Sequence, residues 1–205
     1  MKYSTTEENL NIATHGLGAV LSIPACWWLV IRAESWQALT SVIVFGASLF
    51  VLYMASTLYH AARNEARRAR LRIFDHAAIF LLIAGTYTPI CVVSLWHTWG
   101  MHLLIVIWSL ASIGVVLKLF LTGRFDRAST LLYVAMGWVA IAAIRPLLEA
   151  LSTGALLWLL AGGISYTLGA ILYSIRRLPL NHAIFHVFVL LGSFCHYMMI
   201  YKYIL

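Results

Sequence analysis

Acidic and basic residues vanish from this chain for long stretches, and most of those stretches are of similar length. Runs without Lys, Arg, Asp or Glu extend from Asn9 to Ile31, Ser35 to His60, His76 to Leu117, Ala128 to Ile144, Ala150 to Ile175 and Leu178 to Tyr201. The third run is too long for one bilayer crossing, which takes about twenty apolar residues. It divides at Trp96-His97-Thr98-Trp99-Gly100, where aromatic interface residues meet a helix breaker. Seven spans follow, over approximately residues 12–32, 36–60, 74–95, 100–121, 128–147, 151–175 and 181–203. No run keeps a period of two, which argues against a transmembrane barrel. Backbone groups in lipid must then be satisfied within helices. The expected fold is an all-α membrane protein, a seven-helix bundle forming one domain over residues 1–205. Pro24 and Pro89 fall inside spans one and three and predict kinks. Thr86, Tyr87 and Thr88 are placed to take up carbonyls freed near Pro89.

Composition supports the membrane reading. The 205 residues are 62% hydrophobic and 10% charged, against about a quarter charged in soluble domains. So few charges could not cover a water-facing surface. Cys26, Cys91 and Cys195 lie in apolar runs without a CxxC pair, and read as buried fillers. The first fifteen residues lack the features of a secretory signal.

The net charge of +7 bears on orientation rather than on nucleic acid. Eleven basic residues fall on one side: Lys2, five arginines from Arg63 to Arg72, Lys118, Arg124, Arg127, Arg176 and Arg177. Arg32, Arg145 and Lys202 fall on the other. Basic loops stay in the cytoplasm, so the N-terminus is expected there and the C-terminus outside. The Arg63–Arg72 cluster reads first as a topology determinant and second as an anionic-lipid patch.

The remaining polar residues gather at the predicted inner face. His60 ends span two, Asp75 opens span three, His182 and His186 open span seven, and His15 lies near the start of span one. Ionisable groups in spans are costly and usually face the bundle interior or a water cavity. His182 and His186 are four apart and share a helical face. With His60 they offer three imidazoles, the donor set of a catalytic zinc site with a fourth position for water. Asp75 is the carboxylate within reach and could accept a proton. Ser56, one turn deeper than His60, could donate a hydrogen bond. The bland reading stands beside this one: interfacial histidines also meet headgroups, and a helix-end Asp also favours the dipole. His76 points about 100° away from Asp75. His97 and His102 read as interfacial, and His196, about 15 Å deeper than His186 by helical rise, as a buried, hydrogen-bonded histidine.

Together, Ser56-x3-His60, Asp75 and His182-x3-His186 over seven spans resemble the hemolysin III family, the bacterial branch of the progestin and adiponectin receptor proteins. Glu8-x2-Asn11-x2-Thr14-His15 also resembles that branch, with Glu8, Asn11 and His15 on one helical face. The resemblance runs from Glu8 to about Tyr197. It implies zinc bound by His60, His182 and His186, with Asp75 close by through water. The wider superfamily includes alkaline ceramidases, which hydrolyse a lipid amide. By that likeness Asp75 would be the proton acceptor and Ser56 a polar aid. The expected partners are membrane lipids, one of them a substrate. A protein hormone is not expected, because the large soluble N-terminal extension of the eukaryotic receptors is absent. Short loops suit a bacterial inner membrane protein. Three functions are therefore weighed: a zinc-dependent hydrolase of a lipid amide or ester, a non-enzymatic sensor or regulator of membrane state with structural zinc, and a pore-forming cytolysin. The third ranks last, because the outer half of the bundle is almost wholly apolar.

Overall fold

The computed structural model describes residues 3–123, 125–175 and 177–205, without the side chains of Asp126 and Arg127. Lys2, Arg124, Arg176 and the Arg127 side chain, all counted above for orientation, lie outside the described residues. Among the described residues there are seven helices long and apolar enough to cross a membrane, and no strand.

The first crossing, α1 (Thr5–Arg32), begins seven residues before the expected start at 12. Ser4 caps it, its Oγ accepting from the Glu7 N–H at 3.1 Å, and Glu7 and Glu8 sit in the first turn, where the helix dipole favours acids. Polar residues are no obstacle here because they face inward. Glu7, Asn11, His15 and Ser22 are buried, whereas Leu17, Val20, Ile23 and Trp27 are exposed. With lipid as the solvent, the polar stripe of a helix belongs inside the bundle.

The second helix, α2 (Trp36–Ala61), is capped by Ser35. The third, α3 (Glu65–Pro89), starts at an Asn64 cap, nine residues ahead of the expected 74, so the arginine-rich segment is helical too. It ends in a π-helical turn over Ile90–Ser94. Thr86 and Thr88 donate to the carbonyls of Leu82 and Ala84, each at 2.8 Å. Tyr87 reaches instead to the fifth crossing. Its hydroxyl donates to Gly137 O at 2.7 Å and accepts from the Ala140 N–H at 2.9 Å.

That contact explains a departure from expectation. After α4 (Gly100–Leu121) the fifth crossing is not one helix over 128–147. It is α5 (Asp126–Gly137), a tight 3-10 stretch (Val139–Ala143) and α6 (Ile144–Ala150). A broken helix in a membrane must find other partners for its backbone, and Tyr87 supplies one acceptor and one donor. Pro146 lies in the first turn of α6, where no intrahelical N–H bond is required. The last two crossings are α7 (Thr153–Ser174) and α8 (Asn181–Met199), the latter continued by a π-helical turn over Ile200–Ile204.

Helix α1 packs on α2 and α8, α2 on α3, α3 on α4, and α7 on α8. Phe45, Leu49, Leu82, Ile107 and Met199 lie in the core between them. The tightest approach is at Gly100, where a Cβ would stand 2.1 Å from the Cys91 carbonyl oxygen. Backbone cannot swing aside as a side chain can. Gly100→Ala is therefore expected to destabilise the bundle by about 1–3 kcal/mol, read as a lower melting temperature in detergent. An unchanged melting temperature would show that the turn before α4 yields.

The three cysteines are free, with Cys91 buried and the other two partly so. His97 and His102 are exposed.

Candidate metal centre

Three histidines meet at one end of the bundle. His60 comes from the last turn of α2, and His182 and His186 come from the first turns of α8. All three are buried, and one ring nitrogen from each lies within 4.8 Å of the others. His60 Nε2 and His182 Nε2 are 3.2 Å apart. The i, i+4 spacing puts both α8 rings on one face, and the antiparallel run of α2 brings the third ring to the same level.

The opposite edge of each ring is held by the N-terminal segment and α1. His60 Nδ1–H donates to Glu8 Oε2 at 2.6 Å, and the Asn11 amide lies 3.3 Å from the same nitrogen. Glu8 is held in turn by Arg68, which also lies 4.8 Å over the Tyr59 ring. His186 Nδ1 stands 3.4 Å from Thr14 Oγ1. The single proton of that hydroxyl goes to the Leu10 carbonyl at 2.8 Å, so toward His186 the oxygen accepts. His182 Nδ1 lies 2.9 Å from the Tyr3 hydroxyl. Burial, with Tyr173 and Tyr59 nearby, raises the Tyr3 pKa, so the phenol stays protonated. Glu7 accepts the His182 backbone N–H at 3.2 Å. That satisfies an orphan donor of α8, whose cap residue Leu180 gives no side-chain bond and sits in the left-handed region at φ 56°.

This outer ring has a chemical consequence. A carboxylate and a committed hydroxyl can only accept, so His60 and His186 are fixed as Nδ1–H tautomers with Nε2 lone pairs left over. Those two lone pairs converge in a buried space beside His182 Nε2, which lies within hydrogen-bond distance of His60 Nε2 and becomes a third donor to a cation when its proton leaves. The donor set therefore fits a metal ion held by three imidazoles, with outer partners that orient the rings.

The other predicted site residues separate into groups. Asp75 is buried on α3 and lines one cavity with His15, His182 and His186. Ser56 is fully buried and faces the Asp75 carboxyl, yet its Oγ has no partner within hydrogen-bond distance. His15 stacks on His186, with centroids 3.4 Å apart and planes at 6°, and both its nitrogens lack partners. His76 lines the cavity. His196 is buried as expected, but no hydrogen bond reaches its Nδ1, which corrects the expectation of a bonded ring.

Four contributors escaped sequence reasoning: Tyr3, Glu7, Thr14 as a ring partner, and Arg68. The signal available was an acidic pair directly before an apolar run, continued by Asn11 and Thr14 at helical spacing.

Fold and site define an integral α-helical membrane protein with a buried three-histidine cluster that could hold a metal ion. The family model for Haemolysin-III related proteins matches residues 3–197, and the chain belongs to that family. It is 46% identical over 202 residues to Hemolysin-3 of Bacillus cereus, covering 97% of this chain and 92% of that one. It is 43% identical over 194 residues to the Hemolysin-3 homolog of Bacillus subtilis, covering 93% and 91%. A more distant relative is the human monocyte to macrophage differentiation factor, 26% identical over 179 residues, covering 83% of this chain and 73% of that protein.

Proposed function

We propose that this chain is a zinc-dependent hydrolase of a lipid amide or ester, sited near the cytoplasmic face of a bacterial inner membrane. The observation that carries the reading is a cavity of about 390 Å³ that runs from Asp75, His182 and His186 between apolar walls of α3, α5, α7 and α8. Its volume falls in the usual range for small-molecule sites, roughly 300–1,000 Å³. A zinc that only tied two helices together would need no such space.

His60, His182 and His186 would hold the ion. Zinc so bound acts as a Lewis acid and lowers the pKa of a water ligand to about 7. The protein's own residues supply the rest. Asp75 is placed on the cavity wall to take a proton from the attacking water and to return it to the leaving amine or alcohol. Ser56, whose hydroxyl faces Asp75 and is otherwise uncommitted, is the group that would donate to the carboxylate and orient it during turnover. The apolar walls receive the acyl chain and keep bulk water from the reacting carbonyl. Glu8 and Thr14 on α1 hold His60 and His186 as Nδ1–H tautomers with Nε2 turned to the ion.

The test pairs metal content with turnover in detergent-purified protein, screened on lipid amides and esters. Asp75→Asn is expected to retain about one zinc per chain and to lose at least about 100-fold in rate, the scale of general acid–base catalysis. If wild type holds zinc but turns over no lipid amide or ester, the hydrolase reading falls and the regulator with structural zinc takes its place. Dye release from liposomes carrying the protein would instead favour a pore.

A further inference from the structure

The far end of the cavity is not apolar. His196 and Tyr166 both line it. His196 lies ten residues beyond His186 on α8, about 15 Å along the helix. Its imidazole is seated on the bare backbone of Gly162, where a Cβ would stand 2.5 Å from Nε2. The Tyr166 ring lies against it with centroids 5.5 Å apart. Tyr53 donates to Ser193 Oγ at 2.7 Å, and Ser193 lies 2.9 Å from the Tyr166 hydroxyl. When Ser193 passes its proton to Tyr166, the Tyr166 O–H remains free to donate. The His196 Nδ1 has no partner at all. A buried polar group without a partner is destabilising, and a Leu or Phe would fill this volume without that cost.

We propose that His196 and Tyr166 form a polar subsite for a hydroxyl or carbonyl carried partway along an acyl chain. The inference rests on the reading that the cavity takes a lipid with its polar head at the three histidines. At about 15 Å, the group sits roughly a dozen carbon–carbon bonds from the head. A neutral imidazole offers both an acceptor and a donor, so it serves a hydroxyl or a carbonyl, and Tyr166 supplies a second donor.

The test measures displacement of a dansyl-labelled fatty acid from the purified, metal-loaded protein. The competitors are octadecanoic acid and its isomers hydroxylated at carbon twelve or at carbon three. The carbon-twelve isomer is expected to bind about tenfold tighter than the unsubstituted acid, the worth of one gained hydrogen bond. His196→Leu is expected to bring that ratio to about one, and His196→Gln, which keeps donor and acceptor, to preserve part of it. Equal binding of all three acids by wild type would overturn the subsite while leaving the lipid cavity intact. A preference that ignores hydroxyl position, or one that survives in His196→Leu, would overturn it too. Failure of every acid to displace the label would remove the lipid reading of the cavity, and this inference with it. Should His196→Leu not fold, the comparison of isomers on wild type and His196→Gln decides the matter.

Discussion

Replacing His182 with alanine is expected to strip the metal from the purified protein. Wild type should carry about one zinc per chain by elemental mass spectrometry, and His182→Ala close to none. Two nitrogens remain, His60 Nε2 and His186 Nε2, and two imidazoles do not complete the three-ligand set of a catalytic zinc site. The loss of affinity should exceed the 10- to 100-fold that removing an outer-shell partner costs. The variant should still fold: it loses the hydrogen bonds of the ring to His60 Nε2 and to the Tyr3 hydroxyl, but the packing of α8 on α1 and α7 remains. Metal retained in full by His182→Ala would mean that the three rings are packed together for some other reason.

The second large effect is expected at Glu8, a residue that touches no candidate substrate and no metal. Glu8→Gln should weaken metal binding about 10- to 100-fold in a chelator competition, the usual cost of losing an outer-shell partner. The carboxylate at 2.6 Å can only accept, so it fixes the proton on His60 Nδ1 and leaves Nε2 for the ion. A carboxamide can present its NH2 to the same nitrogen and so allow the wrong tautomer. It also gives up the charge that Arg68 meets. Glu8→Asp, which keeps the charge on a shorter stem, should recover part of the affinity. A purely structural role for Glu8 would lower stability in the Gln variant and leave the metal dissociation constant alone.

Much of this arrangement is legible in the sequence. Seven crossings could be counted because charge is excluded from lipid, and the charge-free runs mark them. His182 and His186 were legible as a pair because helical spacing is fixed. His60 and Asp75 followed because both stand at the inner ends of charge-free runs, although α3 itself begins ten residues before Asp75. What stayed hidden depends on partners distant in sequence. The break in the fifth crossing is stabilised by Tyr87, fifty residues from Gly137. Treating Glu7 and Glu8 as too polar for a span put the start of α1 too late, and so concealed the segment that holds the histidine rings. Arg68 read as one of several topology charges, although its guanidinium ends on Glu8. That His196 Nδ1 has no hydrogen-bond partner could not be read from a sequence in which hydroxyls are plentiful.

The outer ring comes from the first residues of the chain, whereas two of the three inward nitrogens come from the seventh crossing. Synthesis runs in that order. Glu8, Asn11 and Thr14 precede His60, but the cluster gains its second and third imidazoles only with the seventh helix. The three-histidine cluster thus exists only once the whole bundle is assembled. A chain stalled after the sixth crossing would present His60 alone of the three clustered ring donors.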